Sequence, residues 1–312
     1  LGAAILAASC CNSSSVPGPI TTGEDSIAHT IYGDIQGYCD DGIFTFKGVP
    51  YAKAERFMAP DYPDKHDDVM KCQVYGAKAM QDQNVEWHTP SDYDFGFQFK
   101  TESMSEDCQV LNVWTPALDG KKPPVFLWIH GGGYANGSAI FLPAQDGQSL
   151  AEKGDIVTIT LNHRLNLLGY CDLTALGGPF ANSVNLGMQD IVKALEWVKD
   201  NIAYFGGDPD NVTIMGQSGG GAKVCTMVAS PLTKGLVHKA VALSGSTIKA
   251  NDQSVTKELG KFIVKESGKT VEQLKQMPWK EYLALANSAA SEYAKVAGRR
   301  VGFSPVANDV DI

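Results

Sequence analysis

Clusters of positive charge are missing from this sequence. Its 312 residues carry 26 Lys and Arg against 35 Asp and Glu, a formal net charge of −9. No Lys/Arg run stands out from that balance, so nucleic acid is not an expected partner. The seven cysteines, Cys10, Cys11, Cys39, Cys72, Cys108, Cys171 and Cys225, contain no CxxC pair, so a zinc site is not expected either. G-x-G-x-x-G and a P-loop lysine are both absent, which removes the usual phosphate-cradling turns. Beyond the first residues no stretch is long and apolar enough to span a bilayer. There is no internal repeat and no low-complexity tract.

What remains is an acidic chain with an ordinary hydrophobic content of 44%. It is long enough for one large α/β domain or two smaller ones. The start has no Met and no basic segment. Leu1–Ala8 is apolar, followed by Ser9-Cys10-Cys11 and the polar run Asn12–Ser15. This reads as the tail of a signal-peptide apolar region. The Ala-Ala-Ser-Cys ending resembles a bacterial lipobox, which would make Cys10 a lipidation site and anchor the chain at a membrane, although such boxes more often hold Leu where Ala7 stands. Plain secretion and an unrelated apolar terminus are the other readings. We therefore separate residues 1–15, a leader remnant and spacer, from a domain over 16–312.

Residues 16–30 read as a polar linker. Ile31-Tyr32-Gly33 and Ile43–Phe46 flank an Asp40-Asp41-Gly42 turn, which predicts a hairpin or small sheet. Residues 60–100 are loop-rich. From there the pattern changes. Val110–Trp114, Val125–Ile129, Ile156–Leu161, Val212–Met215 and Ala240–Leu243 are β-rich runs, and the second is continuously apolar, as in a strand buried on both faces. Helices are predicted near Gln148–Lys153, over Leu186–Phe205, over Gly219–Ala229 and through residues 252–298. In the second of these Ile191, Ala194, Leu195, Val198 and Ile202 share one face. Cys225, in the third, is expected to be a small core residue. Strands alternating with helices imply a mostly parallel, doubly wound α/β sheet.

Two segments carry chemistry. Gly216-Gln217-Ser218-Gly219-Gly220 matches G-x-S-x-G, a weak signal alone. Here it sits between a β-branched strand and a helix-compatible run, the setting that exposes a nucleophilic serine on a tight turn. Ser218 then lies at a helix amino end, where free N–H groups favour a developing anion. His130-Gly131-Gly132-Gly133 follows the buried strand Val125–Ile129. Three glycines let backbone approach a substrate and direct N–H groups toward it. Gly132, Gly133 and Gly219 are the expected donors to a tetrahedral intermediate, each typically contributing about 3–4 kcal/mol. His130 is expected to order this loop rather than act as a base.

Taken together the motifs resemble those of the type-B carboxylesterases, the family that includes the cholinesterases, over roughly residues 30–310. The resemblance rests on Phe46–Ala52 with Arg56-Phe57, on Ser105-Glu106-Asp107-Cys108 with Leu111-Asn112-Val113, and on Trp128–Tyr134. Asn162-His163-Arg164-Leu165, Asn185–Ser218 with Phe205-Gly206-Gly207-Asp208-Pro209, and Leu243-Ser244-Gly245-Ser246 complete it. It implies an α/β-hydrolase fold and cleavage of a small-molecule ester through an acyl-enzyme, with no metal or organic cofactor. It also implies a Cys72–Cys108 disulfide, an Arg56–Glu106 salt bridge and a supporting hydroxyl from Ser244. The departures are His163 where the family usually has Tyr, Gln217 where Glu is common, and Gly219 in place of Ala.

A serine hydroxyl is a weak nucleophile without a base, and the base is normally a histidine held by an acid. The only histidine after Ser218 is His238, in a segment, Gly235-Leu236-Val237-His238, that resembles a structural block of the family. Phe303-Ser304-Pro305-Val306 resembles the stretch shortly before the family's acid. The acid and base are therefore expected beyond Ile312, with His130 and His163 as in-chain alternatives. Without a base, turnover falls on the order of a million-fold. Two other readings stay open. One is a non-catalytic adhesion module on the same fold; the other is a related hydrolase of thioesters, amides or carbamates.

Overall fold

The computed structural model describes residues 20–82, 103–142, 145–246 and 249–312. The apolar start, Cys10 and most of the 80–104 stretch lie outside the described residues. The centre is a seven-stranded sheet. Its strands in chain order are β1 (Tyr38–Asp40), β2 (Ile43–Pro50), β3 (Val110–Thr115), β4 (Val125–Ile129), β5 (Val157–Leu161), β6 (Val212–Gln217) and β7 (Lys239–Leu243). Across the sheet they run β7-β6-β4-β5-β3-β2-β1.

The sheet is mixed, not mostly parallel. β7, β6, β4 and β5 pair in parallel, whereas β5–β3, β3–β2 and β2–β1 are antiparallel, three of the six pairings. The strand–helix alternation that predicts parallel pairing begins only after β4; the first three strands have no intervening helices among the described residues. The hairpin partner also differs from expectation. Asp41 and Gly42 turn the chain at φ 49° and 82°, but they join β2 to β1. Ile31 and Tyr32 instead form the turn of a smaller hairpin, Ile27–Thr30 with Gly33–Gln36. Local β-propensity misplaced them because pairing, not propensity, selects the strand.

The apolar run of β4 does run through the middle. Val125, Leu127 and Ile129 are fully buried between β5 and β6, and every residue of β5 is buried. Such side chains contribute roughly 1.5–3 kcal/mol each. The helices over this sheet are α1 (Gln148–Gly154), α2 (Asn166–Tyr170), α3 (Leu186–Asn201) and α4 (Gly219–Ala229). On α3, Ile191, Ala194, Leu195 and Val198 join the main core. The predicted single helix ends at Asn201 and tightens into a 3-10 turn, Ile202–Phe205, which Gly206 stops at φ 81°. Further on, α5 (Gln253–Ser267), α6 (Val271–Gln276) and α7 (Trp279–Ala297) cover a second apolar cluster around Phe57, Leu168 and Tyr282.

The predicted disulfide is not formed. Cys72 and Cys108 are both free and buried, Cys72 in the main core and Cys108 in a separate cluster with Ala79 and Leu165. Each packs as a small apolar group, and burial pushes the Cys72 thiol up to about 12. Cys225, expected in the core, is only half-buried. The Arg56–Glu106 pair does form: Arg56 Nε donates to Glu106 at 2.8 Å, and its second nitrogen pairs with the other oxygen. The same guanidinium donates to the carbonyls of Leu274 and Met277, both at 2.7 Å, tying the amino-terminal segment to α6. Among the described residues no helix is long and apolar enough to cross a membrane.

Candidate active site

The candidate site forms where β4 and β6 end side by side. Gly216 on β6 is in register with Ile129 on β4, so the segments that follow, His130–Gly133 and Gln217–Ser218, leave the sheet as neighbours. Ser218 joins β6 to α4 at φ 56° and ψ −123°, a conformation that costs a non-glycine residue about 1–3 kcal/mol. Two hydrogen bonds hold it: Ser218 N–H donates to Leu243 O at 2.8 Å, and Ala222 N–H donates to Ser218 O at 3.1 Å. The bend leaves the Ser218 side chain exposed at the amino end of α4. So close a turn needs glycine at 220, where a Cβ would stand 2.1 Å from Ile129 O.

The triple-glycine segment closes on this turn from the β4 side. Gly132 and Gly133 take φ 89° and 62°, which glycine alone adopts without penalty. A Cβ on Gly219 would lie 2.4–2.5 Å from the backbone N, Cα and O of Gly133, so the loop and the helix start are in direct backbone contact. Gln81 clasps the loop through paired hydrogen bonds with Gly137, 2.8 and 2.9 Å, and Asn166 N–H donates to Tyr134 O at 2.6 Å. Among the described residues the N–H groups of Gly132, Gly133 and Gly219 donate to no protein acceptor. Three backbone donors without a protein acceptor and a helix amino end therefore lie near an exposed hydroxyl, and donors so placed are suited to an oxyanion.

The three histidines weighed for the chemistry, His130, His163 and His238, are each engaged in other contacts. His130 and His163 are buried and stack face to face, with ring centroids 4.8 Å apart. His130 Nδ1–H donates to Gly131 O at 2.8 Å and His163 Nδ1–H to Arg164 O at 2.9 Å. Burial first, then the nearby Lys223, pushes His130 down to about 3, and the same causes hold His163 well below its ordinary value. Burial holds both rings neutral, and the His130 hydrogen bond lies within the glycine loop itself. His238 hydrogen-bonds Val212 at the far end of β6. Six residue steps along the strand separate Val212 from Ser218, about 20 Å. Among the described residues no histidine hydrogen-bonds Ser218. Ser244 is exposed; its segment touches the site through backbone, since a Cβ on Gly245 would stand 1.8 Å from Ser218 O.

Two features escaped the sequence reading. Arg164 and Asp190 form a fully buried bidentate pair at 2.9 and 2.6 Å that locks the 162–165 segment onto α3. Lys223, on α4, is also fully buried and donates to His130 O at 3.1 Å. A charged residue inside the small-residue run Gly219–Val224 was the available signal for it. No group of three or more His, Cys, Asp or Glu suited to a metal occurs among the described residues.

The carboxylesterase family model matches residues 24–312. The para-nitrobenzyl esterase of Bacillus subtilis (strain 168) is 38% identical over 236 residues, covering 74% of this chain and 45% of that protein. The phenmedipham hydrolase of Pseudarthrobacter oxydans is 34% identical over 295 residues, covering 92% and 57%. Among solved structures, an esterase from Clostridium hathewayi described as able to hydrolyze aliphatic aromatic polyesters superposes with a TM-score of 0.84 at 36% identity. That match covers 94% of this chain and 59% of the esterase. A Geobacillus stearothermophilus carboxylesterase gives 0.75 at 36% identity, with 90% and 55% covered. The chain spans about half the length of the curated relatives it matches.

Proposed function

Because the chain belongs to the carboxylesterase family, we propose that the full-length protein is a serine ester hydrolase in which Ser218 attacks the ester carbonyl. The Ser218 proton passes to a histidine supplied, with its acid partner, by sequence following Ile312. The carbonyl oxygen becomes an oxyanion held by the N–H groups of Gly132, Gly133 and Gly219. Collapse of the tetrahedral intermediate expels the alcohol, which takes the proton from the histidine. Water, activated by the same base, then releases the carboxylic acid and restores Ser218. None of these steps calls for a metal or cofactor.

The observation that carries this reading is the exposed Ser218 on its positive-φ turn beside three unpartnered backbone donors. Two others support a downstream source for the acid and base. The chain spans about half the length of its relatives. The apolar edge strand β7 is exposed along its whole length, an edge suited to receive further structure. Small alkyl and aryl esters are the first substrates to assay, and matched ester, thioester and amide forms of one acyl group assign the leaving group. In the full-length protein Ser218→Ala is expected to lower ester turnover about a million-fold. Turnover retained in that variant would reject Ser218 as nucleophile.

A further inference from the structure

Lys223 has no role in the chemistry just described, yet its setting is costly. Its side chain is fully buried on α4, five residues after Ser218, and no carboxylate pairs with it among the described residues. A leucine would fill the same place without desolvating an amine, so stability alone does not account for a lysine there. Its one hydrogen bond among the described residues is informative. Nζ donates at 3.1 Å to the carbonyl of His130, the residue from which the triple-glycine segment departs. The Tyr134 ring, at the other end of that segment, lies 5.8 Å from the same nitrogen. The His130 and His163 Nε2 atoms are buried nearby without a hydrogen-bond partner, and Nδ1 of each ring carries the proton. The amine therefore sits against one backbone carbonyl, with both buried imidazoles close enough to feel its charge.

This matters because the oxyanion donors come from two separate segments. Gly219 belongs to the start of α4, and Gly132 and Gly133 belong to a glycine loop with positive φ values. Their relative position has to be maintained while charge develops, and a displacement of about 1 Å in such an arrangement costs on the order of a hundredfold in rate. The clasps from Gln81 and Asn166 fix the far side of the loop to other parts of the fold. Lys223 is the side chain that links the near side of the loop to the helix bearing Ser218.

We propose that Lys223 is a positioning residue for the reaction at Ser218: its amine, held from the same helix, hydrogen-bonds the His130 carbonyl and so sets the distance of the Gly132 and Gly133 N–H groups from the nucleophile. The link persists whether the amine is charged or neutral, since both forms donate. Burial pushes this amine down to about 7, in keeping with a group retained for the bond rather than for its charge. The proposal rests on the esterase reading above.

The test uses the full-length protein with four forms: wild type, Ser218→Ala, Lys223→Met and Lys223→Gln. Methionine matches the length of the lysine stem without a donor, and the glutamine amide ends one bond earlier than the lysine amine, too far to bond the carbonyl from the same backbone position. Steady-state kinetics on one soluble ester are read as kcat against KM, alongside thermal unfolding and the affinity of a trifluoromethyl ketone that mimics the oxyanion. The expected result for Lys223→Met is a 10- to 100-fold lower kcat with KM within about twofold. The ketone is expected to bind more weakly by a similar factor, and the unfolding midpoint to be unchanged or raised. A lysine that merely fills space would leave kcat and ketone affinity at wild-type values, and that outcome overturns the proposal. If Lys223→Met does not fold, Lys223→Gln decides by the same comparison. Wild-type turnover abolished by Ser218→Ala, together with unaltered kcat in the lysine variants, ends the lysine proposal alone. A full-length wild type without turnover, or a Ser218→Ala variant that keeps it, ends both readings.

Discussion

Ser218 owes its exposure to a backbone conformation that few non-glycine residues adopt, and its surroundings are tuned by buried groups that never reach it. The paired imidazoles behind the loop give this arrangement a measurable signature. His130 is pushed down to about 3 from an ordinary 6.5, and His163 is lowered as well, mainly by burial. Between those values the unfolded chain binds protons that the folded chain refuses, so stability falls as pH drops below about 6.5. Each ring contributes a slope approaching about 1.4 kcal/mol per pH unit in that window. Replacing the stacked ring by His163→Phe is expected to make the decline between pH 7 and pH 4.5 shallower than in wild type. Urea melts at several pH values measure it, and identical slopes would show that His163 is not held neutral. Of these residues, Ser218 and the glycines were legible because their motif is contiguous. Lys223 was not, because its burial depends on a loop that meets it from 93 residues away in sequence.

At the scale of elements, a strand, a bend and a helix are joined so closely that side-chain volume decides the geometry. A methyl group on Gly220 would stand 2.1 Å from the Ile129 carbonyl, a backbone atom at the end of the central strand that has little room to yield. Gly220→Ala is therefore expected to separate the helix start from β4, lowering stability by about 1–3 kcal/mol and ester turnover at least tenfold. Chemical denaturation and steady-state rates check the two effects, and wild-type values in both would show that the contact is looser than described. The elements themselves were largely readable. β4 was matched by its continuous apolar run and α4 by its position after the serine motif, and both keep their expected bounds. Pairing direction was less readable. Two of the three antiparallel pairings, β2 with β3 and β3 with β5, join strands tens of residues apart, and periodicity says nothing about direction.

For the molecule as a whole, the sheet supplies a rigid frame and long-range polar contacts close it. Arg56 joins the amino-terminal segment to Glu106 and to α6, and Arg164 with Asp190 pins the 162–165 segment to α3. Cys72 and Cys108 take no part in that closure, because they are sealed in different apolar clusters. The disulfide expectation came from the resemblance alone. The free energy of the fold comes instead from the core around β4 and β5, whose apolar runs are plain in the sequence. On this frame two loop ends meet, and the central claim is that their meeting forms an oxyanion-binding nucleophile site. The most direct measurement is a crystal structure of the full-length protein after reaction with an alkyl phosphonate. The expected adduct has a phosphorus bonded to Ser218 Oγ, with the phosphoryl oxygen about 2.7–3.1 Å from the Gly132, Gly133 and Gly219 nitrogens. An adduct on another residue, or one on Ser218 whose oxygen points away from those three amides, would contradict it.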